Sequence, residues 1–344
     1  LLKSGGRGLS RWLHKELGVL TYCWNFDENG NSSPKSTKFC PLHQLIFNHN
    51  SIFAPLCKCP KMEIFSEISL LKAFLADQKK SGKTIGLVPT MGALHQGHLT
   101  LLQQSLSKSD LTVCSIFVNP TQFNNPEDLR RYPRPYEKDV EMLEKVGCHV
   151  LFVPDETEMY PNQPFTHFSF ASLGASMEGE YRPVHFDGVA LVVSKLLNVV
   201  GPDIVFFGQK DWQQYVIIRQ LVRDLNFPVQ LVCVPTVREE DGLALSSRNQ
   251  RLTSEQRSIA SSLYRALTDA KKSLLEGKPV MEVKRAIEKL FAEQPETTLE
   301  YFQVVDSENL APLSNVEEAN RPILCIAAYV GGIRLIDNMF LDLR

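Results

Sequence analysis

Short apolar runs alternate with amphipathic stretches along most of the chain, and the alternation predicts an α/β fold. Ile85–Val88 is apolar and bounded by Lys83 and Pro89, the pattern of a buried parallel strand. Leu99, Leu101, Leu102 and Leu106 follow at helical spacing, so the segment reads strand, turn, helix. Upstream, Ile68, Leu70, Leu71, Phe74 and Leu75 predict an amphipathic helix over Ser66–Lys80. Leu111–Val118, His149–Val153, Ile204–Phe207 and Val229–Val234 read as further buried strands. Helices are expected over Glu137–Val146, over Val189–Leu197, and from Gln214 through Leu221. Buried strands alternating with helices imply a doubly wound parallel sheet. The pattern changes near Pro235–Val237. Beyond it, Ser254–Leu275 and Met281–Glu293 read as amphipathic helices, and Tyr301–Val305 and Leu324–Tyr329 as strands, a smaller α+β unit. The expected organisation is an extension over 1–61, an α/β domain over 62–236 and a smaller C-terminal domain over 237–344.

Residues 1–61 break the pattern. They carry eight Lys or Arg against three Asp or Glu, a local charge of +5. Asn25–Lys38 is rich in Asn, Ser, Gly and Pro and reads as loop or disorder. A basic, Ser-containing start is one mark of an organelle transit peptide, but such peptides are poorer in acids and have a cleaner amphipathic period. The expectation is a functional chain that begins at or near Met62, preceded by an extension with no packed role. Cys23, Cys40, Cys57 and Cys59 lie in this stretch, and their spacing does not match the paired C-x-x-C of a zinc site.

Composition narrows the function classes. A chain of 344 residues, 43% hydrophobic and 22% charged, has room for two domains and a large core. A net charge of −2 argues against a general nucleic-acid binder or a polybasic membrane binder. No apolar run approaches the roughly 18 residues of a membrane span. Cys114, Cys148, Cys233 and Cys325 sit singly in apolar segments. They read as small buried hydrophobes of a protein in a reducing, cytoplasmic compartment.

The candidate chemistry follows the first strand. His95 and His98, three residues apart, share one face at the entry to a helix. A helix N-terminus offers free N–H groups and partial positive charge to phosphate, and imidazoles there can stabilise charge developing on it. A His-x-x-His pair alone also suits a structural role. Asn119-Pro120-Thr121-Gln122-Phe123 follows the second strand, where α/β folds bind ligands. Gly208-Gln209-Lys210-Asp211 follows another strand and reads equally as a phosphate and sugar contact or a solvated turn. Leu243–Asn249 presents two hydroxyls and an arginine, which match polyphosphate oxygens. Thr253 and Gln256 form a capping box for the next helix.

Taken together, PTMGALHQGH (Pro89–His98), FVNPTQF (Phe117–Phe123), RPVHFDGV (Arg182–Val189), GQKDWQQ (Gly208–Gln214) and LALSSRN (Leu243–Asn249) closely resemble the pantoate–beta-alanine ligase family, from about Met62 to the C-terminus. That family belongs to the nucleotidyltransferase superfamily, with its His-x-Gly-His signature. The resemblance implies a Rossmann-like doubly wound parallel sheet with a smaller α+β C-terminal lid domain. It implies ATP-dependent joining of pantoate to beta-alanine through a pantoyl adenylate, releasing AMP and pyrophosphate, with magnesium accompanying ATP. The implied partners are these small molecules and a second copy of the chain, a homodimer.

The resemblance also implies residue roles. Met91, Gly92, Ala93, Leu94, His95, Gln96, Gly97 and His98 would line the ATP site, His98 as proton donor. Gly208, Gln209, Lys210 and Asp211 would contact ATP, Lys210 at the phosphates. Val237 would touch adenine through its backbone, and Leu245, Ser246, Ser247 and Arg248 would close over the triphosphate. Gln122 and Gln214 would hold pantoate, with Gln122 also near beta-alanine. Asn119, Arg182 and His185 match positions near the substrates, and Asp139 an acidic position near magnesium. Gln96 and Trp212 depart from the commoner acidic residue and tyrosine, at positions where the chemistry needs no charge. Two other readings compete with this one: a different adenylyl transfer on the same fold, and a catalytically silent ATP-binding protein.

Overall fold

The structure, a computed structural model, describes Trp24–Phe26, Ser32–Pro34 and residues 61–342. Trp24–Phe26 and Ser32–Pro34 pair as two antiparallel strands. The expectations for the rest of 1–60, the four N-terminal cysteines included, lie outside the described residues.

From residue 61 the chain builds two sheets. The first has six parallel strands: β1 (Glu63–Phe65), β2 (Ile85–Thr90), β3 (Leu111–Ile116), β4 (Val150–Phe152), β5 (Ile204–Gly208) and β6 (Gln230–Val234). Their order across the sheet is β1-β4-β3-β2-β5-β6. The chain therefore winds one way from β2 through β3 to β4, then returns to the other side of β2 for β5 and β6. In such a sheet the crevice at the reversal, outside the C-terminal ends of the strands, is where ligands bind. Here that crevice lies between the ends of β2 and β5.

Helices cover both faces, as buried parallel strands require. Helices α1 (Ile68–Lys80), α4 (His185–Val200) and α5 (Trp212–Asp224) share one core with Leu87, Val113, Phe152 and Val205. Helices α2 (Gln96–Lys108) and α3 (Tyr136–Val146) share another with Val88, Cys114, Leu151 and Phe206 on the opposite face. The predicted strands and helices of this half stand where the pattern put them. The short edge strand β1 was not anticipated.

The second sheet is antiparallel: β7 (Thr297–Asp306), β8 (Pro322–Val330) and β9 (Ile333–Phe340), with β8 in the middle. One face packs on α7 (Ser262–Leu275) and α8 (Val280–Glu293) through Leu267, Ile287, Phe302 and Ile326. The other carries Tyr301, Ile323, Cys325 and Ala327 against Trp212 and Val216 of α5. The helix expected over Ser254–Leu275 is two helices. The capping box of Thr253 and Gln256 forms and starts α6 (Ser254–Ala260). Ser261 then intervenes, its hydroxyl donating back to the Ser258 carbonyl at 3.0 Å, a bond that disturbs the helical ladder.

Cys114, Cys148 and Cys325 are free and buried, and Cys233 is free and half-buried. No helix of the described residues is long and apolar enough to cross a membrane.

Candidate active site

A cleft opens at the reversal point. The ends of β2, β3, β5 and β6 supply its base, the N-terminus of α2 one wall, and Leu245–Arg248 its far rim. Val189, Val192, Val193 and Leu196 of α4, with Phe117, make part of the floor apolar.

The two histidines of α2 are bound to each other's backbone. His95 is the N-cap residue, and its Nδ1 accepts the Gly97 N–H at 3.2 Å. His98 reaches back, its Nδ1 accepting the His95 N–H at 3.3 Å. This is a capping box built from imidazoles. With Nδ1 an acceptor in each ring, the proton of the neutral ring resides on Nε2. Both rings are neutral at pH 7. Burial, then the nearby Lys210 charge, lowers His95 to about 4, with Asp211 opposing. Burial, then His95 and Lys210, lowers His98 to about 3. Both rings line the cleft, and their centroids are 4.0 Å apart. The helix entry therefore presents two neutral Nε2–H donors of fixed tautomer.

Gln122 and Asn119 form the next group. The Asn119 amide donates to Gln122 Oε1 and to the Gly188 carbonyl, both at 3.0 Å, and its Oδ1 accepts from Tyr160 at 2.8 Å. Gln122 Nε2 lies 3.1 Å from Met91 Sδ. His185 Nδ1 bonds the Gln122 carbonyl at 2.8 Å, donating to it; burial, then Arg182, lowers this imidazole to about 4. The close approach of α4 requires Gly188, since a Cβ there would stand 2.3 Å from the Thr121 carbonyl oxygen.

Lys210 and Asp211 occupy the turn after β5, and the second sheet holds that turn in place. Asn338 of β9 donates to the carbonyls of Gln209 and Lys210 at 2.9 and 2.8 Å. Its neighbour Asp337 pairs with Arg238 at 2.5 Å, and Arg238 also donates to the Gly242 carbonyl. One strand thus anchors both the Lys210 turn and the loop leading to Ser246. The resulting array, two neutral imidazole donors and Lys210 opposite Ser246, Ser247 and Arg248, is suited to an oligophosphate.

The comparisons with known proteins agree with this geometry. The model of a family described as Pantoate-beta-alanine ligase matches residues 63–340. The chain belongs to the pantoate–beta-alanine ligase family. A pantothenate synthetase of Porphyromonas gingivalis is 46% identical over 278 residues, covering 81% of this chain and 99% of that protein. One of Moorella thermoacetica is 46% identical over 284 residues, covering 82% and 100%. The crystal structure of pantothenate synthetase from Thermus thermophilus superposes with a TM-score of 0.77 at 42% identity, over 82% of this chain and 100% of that one. The pantoate–beta-alanine ligase of Francisella tularensis, solved as a complex with "Beta-gamma ATP" and beta-alanine, superposes with a TM-score of 0.69 at 36% identity, over 82% and 99%.

Most of the residues singled out by the family motifs converge. Met91, His95, Gly97, His98, Gln122, Gly208, Lys210, Asp211, Gln214, Val237 and Leu245–Arg248 line one cleft, together with Asn119, Arg182 and His185. Gly92, Ala93, Leu94, Gln96 and Gln209 are not among the lining residues. The first three are buried in the turn beneath, Gln96 is exposed, and the Gln209 amide bonds Asn338. Asp139 lies outside the cleft lining: it is 1% exposed, and both its oxygens accept backbone N–H groups.

Sequence reasoning missed the supports. Asp337 lies 99 residues from Arg238, and Asn338 lies 128 residues from Lys210, and neither belongs to a motif. Tyr132 lines the cleft, and Asp128 pairs with Arg248 at 3.3 Å and with Arg251 at 3.5 Å. The only signal for Asp128 was a polar stretch after Phe123, whereas Tyr132 opens YPRPYEKD, the stretch that carries Asp139.

Proposed function

We propose that this chain condenses pantoate with beta-alanine at the expense of ATP, through a pantoyl adenylate. The observation that carries the reading is the pairing, in one cleft, of a phosphate-type array (His95, His98, Lys210, Arg248) with two neutral amides, Gln122 and Gln214, beside an apolar floor. Pantoate has the matching chemistry, two hydroxyls and a carboxylate around a dimethyl carbon.

The residues divide the work accordingly. A pantoate carboxylate oxygen attacks the α-phosphorus, and the bond to the β-phosphate oxygen breaks. Repulsion between carboxylate and triphosphate opposes this step, and Lys210 and Arg248 lower it. The Nε2–H groups of His95 and His98 hold the charge that develops as pyrophosphate departs. Val237 offers its backbone to adenine, and Leu245, Ser246 and Ser247 close over the phosphates. Beta-alanine then attacks the acyl carbon with its amine, with Gln122 near it, and AMP leaves. Closure of the C-terminal domain over residues 237–344 keeps water from the adenylate. Arg248 is paired with Asp128 in this structure, so triphosphate must compete for it.

Magnesium fits the donor set in one way. Among the described residues no three His, Cys, Asp or Glu converge as a metal site, and the carboxylate that lines the cleft is Asp211. Mg²⁺ bound through phosphates, water and one carboxylate is the usual arrangement at such sites. When bound, it neutralises charge on the phosphates. A homodimer working in the cytoplasm completes the proposal, supported by the family and by the free thiols.

Pyrophosphate release by purified protein with ATP, Mg²⁺ and pantoate, with and without beta-alanine, tests the reading. Sustained release only with both acids is expected. Release with a different acid would keep the adenylyl transfer and overturn the substrate, and ATP binding without release would favour a silent binder.

A further inference from the structure

The turn between β2 and α2 is held in a conformation that its own sequence resists. Gly92 has φ +78°, which glycine tolerates, but Ala93 follows with φ +49°. An L-residue with a Cβ pays roughly 1–2 kcal/mol to adopt this left-handed region.

Compensation comes from α3. Asp139, in its first turn, accepts the Ala93 N–H on Oδ2 and the Leu94 N–H on Oδ1, both at 2.8 Å. Each oxygen serves one consecutive N–H, so the carboxylate bridges two successive peptides and fixes their relative orientation. Ionised acceptors make the strongest bonds of this type. The site is closed: Asp139 is 1% exposed, Ala93 2% and Leu94 3%, so water cannot substitute for the carboxylate. The next residue after this pair is His95, the N-cap of α2. The direction of α2, and of both imidazoles, is therefore set by the peptides that Asp139 holds.

We propose that Asp139 is a positioning residue for the phosphate site: its carboxylate clamps the Gly92–Leu94 turn in the left-handed form that aims His95, His98 and the N-terminus of α2 into the cleft. The proposal rests on the reading of that cleft as the ATP site. It assigns the acidic residue of YPRPYEKD to the geometry of the protein and not to the metal.

The test compares Asp139→Asn, Ala93→Gly and the double variant in the full chain. In Asp139→Asn an amide NH₂ faces a backbone N–H that had an acceptor. Turnover for pyrophosphate release with ATP and pantoate is expected to fall about 10- to 100-fold, the scale of a sub-ångström to ångström misplacement of reacting groups. Half-saturation by Mg²⁺ stays within twofold of the wild type. Ala93→Gly in the Asp139→Asn background restores about fivefold of the lost turnover, because glycine removes roughly 1 kcal/mol of left-handed strain. Three results overturn the proposal: a tenfold or greater rise in the Mg²⁺ requirement with turnover intact at saturation, no rescue by Ala93→Gly, or a fall in Tm alone.

Should Asp139→Asn not fold, the wild-type protein decides by NMR. The Ala93 and Leu94 amides are expected downfield, protected from exchange and unmoved by Mg²⁺ alone; movement on Mg²⁺ addition or rapid exchange overturns the clamp. Inactivity of the wild type with pantoate speaks against the substrate reading, whereas these amide signals report on the clamp independently.

Discussion

Replacing His98 by alanine separates two functions that one ring performs. In the folded chain Nδ1 of His98 accepts the His95 N–H at 3.3 Å, which leaves Nε2–H as the ring's free donor, and the ring lines the cleft. Loss of the first removes half of the capping box. A lost cap costs about 1 kcal/mol, and the long bond here places this case at the lower end. For a chain of this size Tm then falls by only a few degrees. Loss of the second removes a fixed donor from the developing pyrophosphate charge. Deleting one such donor costs roughly 10²–10³ in turnover, or about 3–4 kcal/mol. Single-turnover pyrophosphate release and a thermal melt of the same preparation measure both. The expected result is a rate loss of two to three powers of ten with a melt displaced by a few degrees. A rate loss under threefold would remove His98 from the chemistry. A pH profile adds a second check, because the ring is lowered to about 3 and is neutral throughout the working range. The wild type should show no His98 limb between pH 5.5 and 8. A limb near pH 6.5 that vanishes in His98→Ala would refute a neutral donor.

Other outcomes follow from neighbouring groups. Gln122→Met keeps the shape of the side chain but removes its amide, so KM for pantoate rises about 10- to 100-fold, the scale of one or two lost hydrogen bonds, while KM for ATP stays near wild type in steady-state assays. Glu178 is buried and pairs with Arg334 of β9 at 2.7 Å, and Glu178→Gln is expected to destabilise the fold by about 3 kcal/mol in urea unfolding, as when one partner of a buried ion pair is removed. Burial opposes ionisation of Glu178, but the Arg334 hydrogen bonds and charge outweigh it and bring its pKa down to about 2. Tm should fall on acidification from pH 6.5 to 5, through the histidines: His95, His98 and His185 lie at about 4, 3 and 4 when folded and near 6.5 when unfolded. The unfolded chain then binds more protons, so their contribution is complete above pH 6.5 and is lost as pH falls toward 4. Glu178 begins to add to that loss only below its ordinary pKa of 4.5. Deleting residues 1–61 should leave kcat and Tm unchanged, since the family match begins at residue 63; loss of folding would show that the segment packs.

The parts of this fold legible in the sequence are those written locally. β2, its turn and α2 occupy one continuous stretch, and apolar periodicity marked each piece. Gln122, Lys210 and Arg248 each follow a recognisable strand or polar loop, so their place in the cleft could be read from motif and topology together. The supports are written at long range. Asn338 holds the Lys210 turn from a strand 128 residues away, and β9 itself was missed because Asp337 and Asn338 interrupt its apolar alternation. Both are buried and hydrogen-bonded, which a linear pattern cannot show. Asp139 is a related case. The family resemblance set it near magnesium by motif position, and nothing in the linear pattern shows that its carboxylate faces inward and serves backbone N–H groups.

The central claim is that the pantoate carboxylate is activated on the α-phosphate, and isotope transfer tests it most directly. Pantoate labelled with oxygen-18 in its carboxylate is converted with ATP, Mg²⁺ and beta-alanine, and the products are analysed by mass spectrometry. An adenylate mechanism predicts one labelled oxygen in the phosphate of AMP and one in the amide carbonyl of the product. Label in inorganic phosphate with ADP as co-product, or no transfer of label to any phosphate, would contradict it.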